Sequence, residues 1–186
     1  RGGSKGLKNK NILNFNGLSL LAHTIQFAKK SLLFDKIFVS TEDKKILSIA
    51  KKYGAEIIQR PKYLSKDNSP EILSWKHAIN FLKKNNDVFD LFISLPTTSP
   101  LRSILDVKKC IKKYNKKIDA VITFAKTSRN PCFNMIKIND NDFVELVNKT
   151  NKLYSRRQDA PNIYDMTTVC YVTNPKYVLK VNNIFE

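Results

Sequence analysis

The first residues of the chain form a segment that is rich in glycine and in basic side chains. Three of the five glycines fall in Arg1-Gly2-Gly3-Ser4-Lys5-Gly6, and Lys10-Asn11 follows shortly after. Glycines let backbone amides approach an anion closely, and the basic side chains add positive charge, so the segment is typical of a phosphate-binding loop. It matches neither Gly-x-x-x-x-Gly-Lys-[Ser/Thr] nor Gly-x-Gly-x-x-Gly. An ordinary basic turn is the alternative interpretation.

A second segment, Pro96-Thr97-Thr98-Ser99-Pro100-Leu101-Arg102, follows the most apolar predicted strand. Two prolines stiffen the turn, which presents three hydroxyl groups and one guanidinium group. These groups suit hydrogen bonding to a polyhydroxylated, anionic ligand. A turn that only ends the strand is the alternative, although such a turn would not need Arg102.

A third segment, Arg156-Arg157-Gln158-Asp159-Ala160-Pro161, leads into Tyr164 and a predicted strand that carries Tyr171. Paired arginines can bind a carboxylate, and a tyrosine on the following strand can close a pocket. A solvated loop is the alternative. His23 and His77 lie in predicted helices with no second metal ligand in register, so we expect both to be structural.

The chain is strongly basic, with 33 lysine and arginine residues against 16 aspartate and glutamate residues and a formal net charge of +17. Such a balance suits nucleic acid, an acidic membrane surface or anionic small molecules, or it reflects a solvated surface. Many lysines occur in pairs at the ends and outer faces of predicted helices, which favours the solvated surface. The arginines are predicted to lie outside the helices, where their fork of donors suits phosphate and carboxylate groups. They are Arg1, Arg60, Arg102, Arg129, Arg156 and Arg157.

Length and composition indicate a folded protein. The 186 residues correspond to about one domain, and 42% apolar residues suffice for a packed core. No apolar run approaches the ~20 residues of a membrane-spanning helix, and the first residues lack the apolar stretch of a signal peptide, so we expect a cytoplasmic protein without a membrane partner. Cys110, Cys132 and Cys170 are far apart, which favours reduced core thiols over disulfides or a metal site.

Short apolar runs alternate with segments of helical spacing. The runs cover residues 36–40, 55–58, 91–95 and 120–125, and their continuous apolarity predicts strands that are covered on both faces, as in a parallel sheet. Helices are predicted over 18–28, 46–53, 72–82 and 107–111, the last with a capping box from Ser103 to Asp106. The alternation predicts an α/β fold, a three-layer sandwich with a mostly parallel sheet.

The later part of the chain is less regular. Residues 133–138 and 143–147 are typical of a hairpin, and residues 167–173 of a further strand. In open α/β sheets ligands bind beyond the carboxyl ends of the strands, where we expect the loops that follow each strand. Since the chain begins in a loop and stops without a turn or cap, we expect a fragment that lacks a first strand and a C-terminal segment.

Together these segments resemble, in order and spacing, the acylneuraminate cytidylyltransferases, which are the CMP-sialic acid synthetases and their relatives for other nine-carbon sugar acids. The resemblance rests on the glycine-rich loop with Lys10-Asn11, on Val39-Ser40-Thr41-Glu42-Asp43, on Thr98-Ser99-Pro100-Leu101-Arg102 and on Arg157-Gln158-Asp159-Ala160-Pro161. It implies a nucleotide-diphospho-sugar transferase type of fold, with one nucleotidyltransferase domain over residues 1–186. It also implies CTP and an anionic sugar acid as substrates, Mg²⁺ as cofactor, and a homodimer.

The resemblance implies roles for individual residues. Arg1, Gly2, Gly3, Ser4, Lys5 and Lys10 would wrap the triphosphate, with Arg1, Lys5 and Lys10 as the catalytic cations. Asn11 would lie near the nucleoside, and Arg60 would contact the nucleotide. The sugar-acid pocket would contain Thr98, Ser99, Arg102, Arg157, Gln158 and Tyr171. The metal-binding aspartates of the family correspond to positions beyond Glu186, so no metal ligand is predicted and the activity of the fragment alone stays open.

The chain departs from the family pattern at three places. Leu7-Lys8 stands where the loop commonly reads Gly-[Ile/Leu]-Pro, Pro96 replaces a glutamine that often precedes the turn, and Thr167-Thr168 replaces an Asn-Gly pair. The last two lie on the sugar side, so the resemblance leaves the particular acid open.

Two other functions remain as alternatives. Within the enzyme class, a cytidylyltransferase for an eight-carbon, KDO-type sugar acid shares the fold and the chemistry. A nucleic-acid-binding module belongs to a different class and would use the net charge. It predicts base-stacking aromatic residues interleaved with basic ones, whereas Trp75, Phe92 and Phe124 are predicted to lie in core elements.

Overall fold

The computed structural model describes residues 6–150 and 152–186. It contains two compact units. The first unit comprises the chain up to Ile122 together with Thr168–Glu186, and the second comprises Thr123–Thr167.

The helices confirm the predicted order and add one helix near the end of the chain. The α-helices are α1 Leu20–Ser31, α2 Lys44–Lys52, α3 Glu71–Lys84, α4 Ile104–Lys113 and α5 Pro175–Lys180. Short 3-10 helices cover Lys10–Ile12, Lys62–Ser65 and Arg157–Asp159. Arg157 therefore begins a helical turn, and the prediction that all six arginines lie outside helices is wrong for this residue.

The strands likewise include every predicted one. They are β1 Asn14–Phe15, β2 Leu18–Ser19, β3 Phe38–Thr41, β4 Glu56–Gln59, β5 Phe92–Ser94, β6 Ala120–Lys126, β7 Ile136–Ile138, β8 Val144–Leu146 and β9 Tyr164–Thr173. Strands β3 and β4 are parallel, with Thr41 opposite Gln59. Strand β9 lies between β5 and β6 and runs antiparallel to β5, with Ser94 opposite Tyr171. Strands β7 and β8 form the predicted antiparallel hairpin.

A small hairpin, β1–β2, is absent from the predictions above. Its turn contains Asn16 and Gly17 with φ values of 49° and 87°, the left-handed conformation that an Asn-Gly hairpin turn requires. The Asn-Gly pair is a strong hairpin signal, but the flanking strands are only two residues long and carry no clear apolar alternation.

Strand β9 shows why the fold has three layers. Cys170 and Val172 pack in one cluster with Val107 of α4, whereas Tyr171, on the opposite face, packs with Trp75 of α3 and with Val178 of α5. Because successive side chains of a strand point to opposite faces, helices must cover both sides of this sheet. The predicted α/β sandwich is therefore confirmed.

Strand β4 is covered in the same way. Ile58 packs with Ala78 and Leu82 of α3, whereas Ile57 packs against the cluster that α1 and α2 form with Ala55. The continuous apolar run at residues 55–58 thus reflects burial on both faces, as predicted.

The helices that follow β3 and β5 begin at capped positions. The Asp43 side chain accepts hydrogen bonds from the backbone N–H groups of Lys45 and Ile46 at 2.7 and 3.3 Å. The Ser103 hydroxyl accepts from the backbone N–H of Asp106 at 3.1 Å and donates to the Asp106 carboxylate at 2.7 Å. The predicted cap is confirmed, although the carboxylate binds the hydroxyl and not the backbone. Both caps fix where the preceding loops end.

Predictions about buried side chains have mixed outcomes. The three cysteines are buried and free, as predicted. Phe124 is wrongly assigned to the core: it is 62% exposed and packs edge-on against Tyr164 at 4.8 Å between ring centroids. Along the part of the chain that is described, no helix is long and apolar enough to cross a membrane.

Replacing Ile79 of α3 with alanine should lower the free energy of unfolding by about 2–5 kcal/mol, since Ile79 is 0% exposed and its truncation leaves a cavity. Urea denaturation followed by circular dichroism measures this change. Asn80→Ala on the exposed face of the same helix is the matched control, and we expect a change within about 0.5 kcal/mol. Equal effects of the two substitutions would contradict the assigned core.

Candidate functional site

The first unit contains a cavity of about 1300 Å³ whose polar end lies where β3, β4 and β5 end. The cavity continues between apolar side chains of α1 and α3. Its polar lining comes from several separate segments of the chain, as expected where the carboxyl ends of strands meet. These residues include Lys10, Asn11, Ser40, Arg60, Ser69, Glu71, Thr97, Thr98 and Thr168.

Arg60 is held on the cavity wall by the neighbouring strand. It follows β4 directly, and its backbone N–H donates to the Thr41 carbonyl at 3.0 Å, which continues the parallel pairing. Its guanidinium donates to the Ser40 carbonyl at 2.7 Å and to the Ser40 hydroxyl at 3.2 Å. Burial lowers the pKa of Arg60, and the charges of Glu42 and Glu71 oppose that effect. The site thus contains a fixed, partly desolvated cation.

Glu71 is a site residue that the sequence predictions did not include. It is the first residue of α3 and lines the same cavity as Arg60. Although the residue as a whole is exposed, desolvation of its carboxyl raises the pKa of Glu71, while a hydrogen bond with Trp75 and the charge of Arg60 act in the opposite direction. An acidic residue in the first turn of a helix is common for helix stabilisation alone, so the sequence contains no specific signal for this position.

Two of the predicted segments meet at Asn11. Lys10 and Asn11 lie in the 3-10 helix Lys10–Ile12, whose first N–H donates to the Leu7 carbonyl at 3.1 Å. The Thr97 hydroxyl donates to the Asn11 side-chain oxygen at 2.7 Å. The loop that follows β5 is therefore attached to the loop that precedes α1. The other predicted phosphate-binding residues, Arg1, Gly2, Gly3, Ser4 and Lys5, lie outside the described residues.

The hydroxyl groups of the turn after β5 contact strand β9. Thr98 Oγ1 lies 3.1 Å and Ser99 Oγ lies 2.9 Å from Thr168 Oγ1. Thr98 is exposed, whereas Ser99 and Thr168 are half-buried. Thr98 and Thr168 line the cavity, and Ser99 contacts Thr168 without lining it, so the roles of Thr98 and Ser99 in binding the sugar acid stay predictions.

Arg102 lies beneath this turn and does not line the cavity. It is 8% exposed, donates from Nη2 to the Pro96 carbonyl, and lies over the Phe27 ring at 5.7 Å from its centroid. Burial lowers the pKa of Arg102 to about 10. Its Nε and Nη1 atoms have no hydrogen-bond partner within the described chain. The contacts of Arg102 hold the turn, and its role in acid binding stays a prediction.

Tyr171 also lies in the core. It is 6% exposed, its ring centroid is 5.3 Å from that of Trp75, and burial raises its pKa, with a smaller contribution from Glu71. Its predicted place in the sugar-acid pocket is not tested by these contacts.

The paired arginines of the second unit have different surroundings. Arg156 forms an ion pair with Asp159 through two hydrogen bonds of 2.9 and 3.1 Å. Arg157 donates from Nη2 to the Thr127 carbonyl at 2.9 Å, and both it and Gln158 are exposed. In this pair, the Arg156 guanidinium is therefore bound to a carboxylate of the same turn, and the Arg157 guanidinium is not.

Side chains that could hold a metal ion are not clustered in the described part of the chain. Between residues 6 and 150 and from 152 onwards, no group of three or more His, Cys, Asp or Glu residues is arranged around a common point. These residues therefore do not by themselves fit a divalent cation.

The chain is similar in sequence to a known protein family and to several named proteins. A family model described as cytidylyltransferase matches residues 1–183. The chain is 35% identical to the post-translational flagellin modification protein B of Campylobacter coli, covering all of this chain and 79% of that protein. It is also 35% identical to the CMP-N,N'-diacetyllegionaminic acid synthase of Campylobacter jejuni and 30% identical to a pseudaminic acid cytidylyltransferase of that species, covering all of this chain and 79% and 80% of those proteins.

Solved structures show the same fold at lower sequence identity. A CMP:2-keto-3-deoxy-manno-octonic acid synthetase complexed with CTP superposes with a TM-score of 0.67 at 15% identity, over 95% of this chain and 72% of that one. A 4-diphosphocytidyl-2C-methyl-D-erythritol synthase from Anaerococcus prevotii superposes with a TM-score of 0.60 at 19% identity, over 91% and 68% of the two chains. The predicted nucleotidyltransferase fold is confirmed.

Replacing Arg102 with alanine should lower the free energy of unfolding by about 2–4 kcal/mol, because the change opens a cavity against Phe27 and removes the guanidinium donor of the Pro96 carbonyl, which keeps a long hydrogen bond of 3.4 Å from the Ser99 N–H. Chemical denaturation measures the loss. Arg129→Ala, an exposed arginine, is the control and should change stability by less than about 0.5 kcal/mol. If Arg102→Ala were as mild as the control, Arg102 would not be the buried support of the turn.

Proposed function

The chain belongs to the cytidylyltransferase family, and we propose that it activates a nine-carbon sugar acid with CTP, giving a CMP-sugar and pyrophosphate. The observation that carries this proposal is the cavity on which Lys10, Asn11 and Arg60 lie together with the hydroxyls of Thr98 and Thr168. The two cations and the Asn11 amide can bind a nucleoside triphosphate, and the two hydroxyls can form hydrogen bonds with a polyol. Relatives named for legionaminic and pseudaminic acid support the substrate class.

The proposed reaction is a single displacement at phosphorus. The anomeric hydroxyl oxygen of the sugar acid forms a bond to the α-phosphorus of CTP, and the bond from that phosphorus to the bridging oxygen of the β-phosphate breaks. Pyrophosphate leaves, and the hydroxyl proton is released. Negative charge grows on the bridging oxygen, so a cation placed near it stabilises the transition state more than the ground state.

Lys10 and Arg60 are two of the described cations that line the cavity, which Lys36 and Lys66 also line. Lys10 supplies a flexible ammonium group next to Asn11, and we assign it to the triphosphate. Arg60 has a guanidinium fixed by Ser40, and we assign it to the nucleotide. A partly desolvated cation interacts more strongly with phosphate than a surface lysine does. Lys10 forms the proposed set of catalytic cations with Arg1 and Lys5.

The sugar acid carries a carboxylate and several hydroxyls. We assign the hydroxyl-binding role to Thr98 and Ser99 in the first unit. In the second unit, Arg157 is the proposed carboxylate-binding residue, because its guanidinium is exposed and Arg156 is already paired with Asp159. Gln158, next to it, is proposed to support the acid by hydrogen bonding, and Arg102 and Tyr171 support the site from the core.

Mg²⁺ is the cofactor that the family resemblance implies. When bound to a triphosphate, a divalent cation neutralises charge on the phosphate oxygens. Since the described residues do not fit a metal by themselves, no step above depends on one.

The eight-carbon alternative has support only from the fold. The structural likeness to a CMP:2-keto-3-deoxy-manno-octonic acid synthetase is at 15% identity, whereas the relatives at 30–35% are named for other acids or by a flagellin modification. For the nucleic-acid alternative, Trp75 is buried and offers no face for base stacking, whereas Phe124 is exposed and packs against Tyr164. Stabilisation by RNA but not by CTP with Mg²⁺ in a thermal-shift assay would favour that alternative.

The proposal is tested by pyrophosphate release from the full-length protein, with CTP, Mg²⁺ and a panel of nine- and eight-carbon sugar acids. We expect turnover with CTP and at least one nine-carbon acid. Lys10→Ala should reduce kcat/KM by at least ~10²-fold, the range for losing one donor that stabilises transition-state charge.

Lys8→Ala is the matched control, because Lys8 is an exposed lysine of the same loop. It should leave kcat/KM within about twofold. Turnover with eight-carbon acids alone would replace the proposed substrate, and a change below twofold in Lys10→Ala would remove Lys10 from the mechanism.

We further propose that the protein is a homodimer that associates through the second unit. Ile136, Ile138 and Val144 of the β7–β8 hairpin are 62%, 68% and 66% exposed and share one face, because Ile136 and Ile138 are two residues apart and Ile138 lies opposite Val144 in the strand pairing. Apolar side chains that cluster in this way on a surface are typical of an interface between chains.

The double substitution Ile138→Lys with Val144→Lys should convert the dimer to a monomer, because two charges would be buried in an apolar interface. Sedimentation velocity measures the change in mass. Val88→Lys, at an exposed apolar position of the first unit, is the control and should leave the dimer intact. A monomeric wild-type protein would contradict the proposed association.

A further inference from the structure

The hydroxyl groups of Thr98 and Ser99 both contact the hydroxyl oxygen of Thr168, and the three form a cluster. Thr98 Oγ1 lies 3.1 Å from Thr168 Oγ1 and Ser99 Oγ lies 2.9 Å from it, both within hydrogen-bond distance. Thr168 belongs to strand β9, whereas Thr98 and Ser99 belong to the turn after β5. Strand pairing and turn therefore place the cluster jointly.

The cluster can bind a neutral polar group. Three hydroxyls carry three protons, and the two hydrogen bonds to Thr168 Oγ1 use two of them, so one proton and several lone pairs remain for a ligand. Such a set can donate one hydrogen bond and accept others. It suits an O–H or N–H group that also has an acceptor, and it contributes no charge with which to bind a carboxylate.

Two hydroxyls of the cluster also line the cavity to which we assign the reactants. Thr98 and Thr168 line the same cavity as Lys10 and Asn11. Thr97, next in the chain to Thr98, donates to the Asn11 side chain at 2.7 Å, so the turn that carries two of the hydroxyls is attached to the loop assigned to the nucleotide.

We propose that Thr168 is a specificity-determining residue for the sugar acid, and that its hydroxyl, with those of Thr98 and Ser99, binds a neutral hydroxyl or acylamido group of that acid. This assignment rests on the proposed function. At this position the chain has threonine where the family pattern has the glycine of an Asn-Gly pair, so the hydroxyl distinguishes this chain from that pattern.

The test compares a substitution that removes the hydroxyl with one that keeps it. Thr168→Val removes the hydroxyl and keeps the branched side chain, and Thr168→Ser keeps the hydroxyl. In the pyrophosphate-release assay of the full-length protein, Thr168→Val should raise KM for the sugar acid about 10-fold or more and change KM for CTP less than about twofold. Thr168→Ser should stay within about threefold of the wild type for both substrates.

The bound group is identified with pairs of acids that differ at one carbon, where one member has a hydroxyl and the other an acylamido group. The member whose group binds the cluster should lose more in Thr168→Val than its partner. Direct binding of each acid, measured by calorimetry, should show the same order.

Thr173→Val is the matched control on the same strand. The Thr173 hydroxyl donates to the Phe92 carbonyl at 2.9 Å, and Thr173 is fully buried away from the cavity lining. Its substitution reports how much losing a β9 hydroxyl affects folding, through the melting temperature, and it should not shift KM for the acid relative to KM for CTP.

Two outcomes overturn the assignment in different ways. If the wild type converts or binds sugar acids and Thr168→Val leaves KM and the calorimetric affinity for them unchanged, Thr168 does not determine specificity, while the proposed function stands. If the wild type neither converts nor binds any sugar acid, the proposed function fails and the role of Thr168 fails with it.

Discussion

The antiparallel register between β5 and β9 is the constraint on which the described site depends. Ser94 lies opposite Tyr171, and the same register, continued three residues beyond the end of β5, brings Thr97 level with Thr168. That register places Thr168 beside the turn hydroxyls, Tyr171 against α3, and Cys170 against α4. A slip of one residue would exchange the two faces of β9 and put Tyr171 where Cys170 now packs. The large aromatic core on one face and the small residues on the other therefore also fix the position of the hydroxyl cluster.

The sequence predicts the elements well because their signals are local. Apolar runs and helical spacing depend on a few neighbouring residues, and so does the Ser103 cap, and the structure confirms all of them. The order β5-β9-β6 is different, since it pairs Ser94 with Tyr171, which lie far apart in the sequence, and no local pattern specifies it. Thr168 illustrates the consequence: in the sequence it is only a departure from a family pattern, and its partners become evident when β9 is placed beside β5.

The same difference between local signals and contacts of distant segments explains why Arg102 and Arg60 lie in different surroundings. An arginine next to a hydroxyl-rich turn favours ligand binding, yet Arg102 is buried under that turn, because its guanidinium meets the Pro96 carbonyl and the Phe27 ring. Arg60, in a loop of less distinctive sequence, lies on the cavity wall, because the parallel pairing of β3 and β4 sets it beside Ser40. The type of residue predicts which chemistry is possible, but whether a cation faces a ligand or a carbonyl depends on contacts between distant segments. The net charge of +17 is for this reason a weak guide to the site.

In the proposed reaction, charged and neutral side chains would recognise different features of the substrates. Every sugar acid carries a carboxylate and every CTP carries the same phosphates, so the cations that we propose bind them, Lys10, Arg60 and Arg157, would attract all candidate substrates to a similar extent. Acids of one size differ mainly in the hydroxyl and acylamido groups on their carbons, and an apolar wall distinguishes such groups poorly. A site built from hydroxyls rejects an acid that lacks the matching group, because its own half-buried polar atoms would then lose partners that water no longer supplies. Under the proposed function, the neutral cluster at Thr168, and not the cations, would therefore distinguish one acid from another.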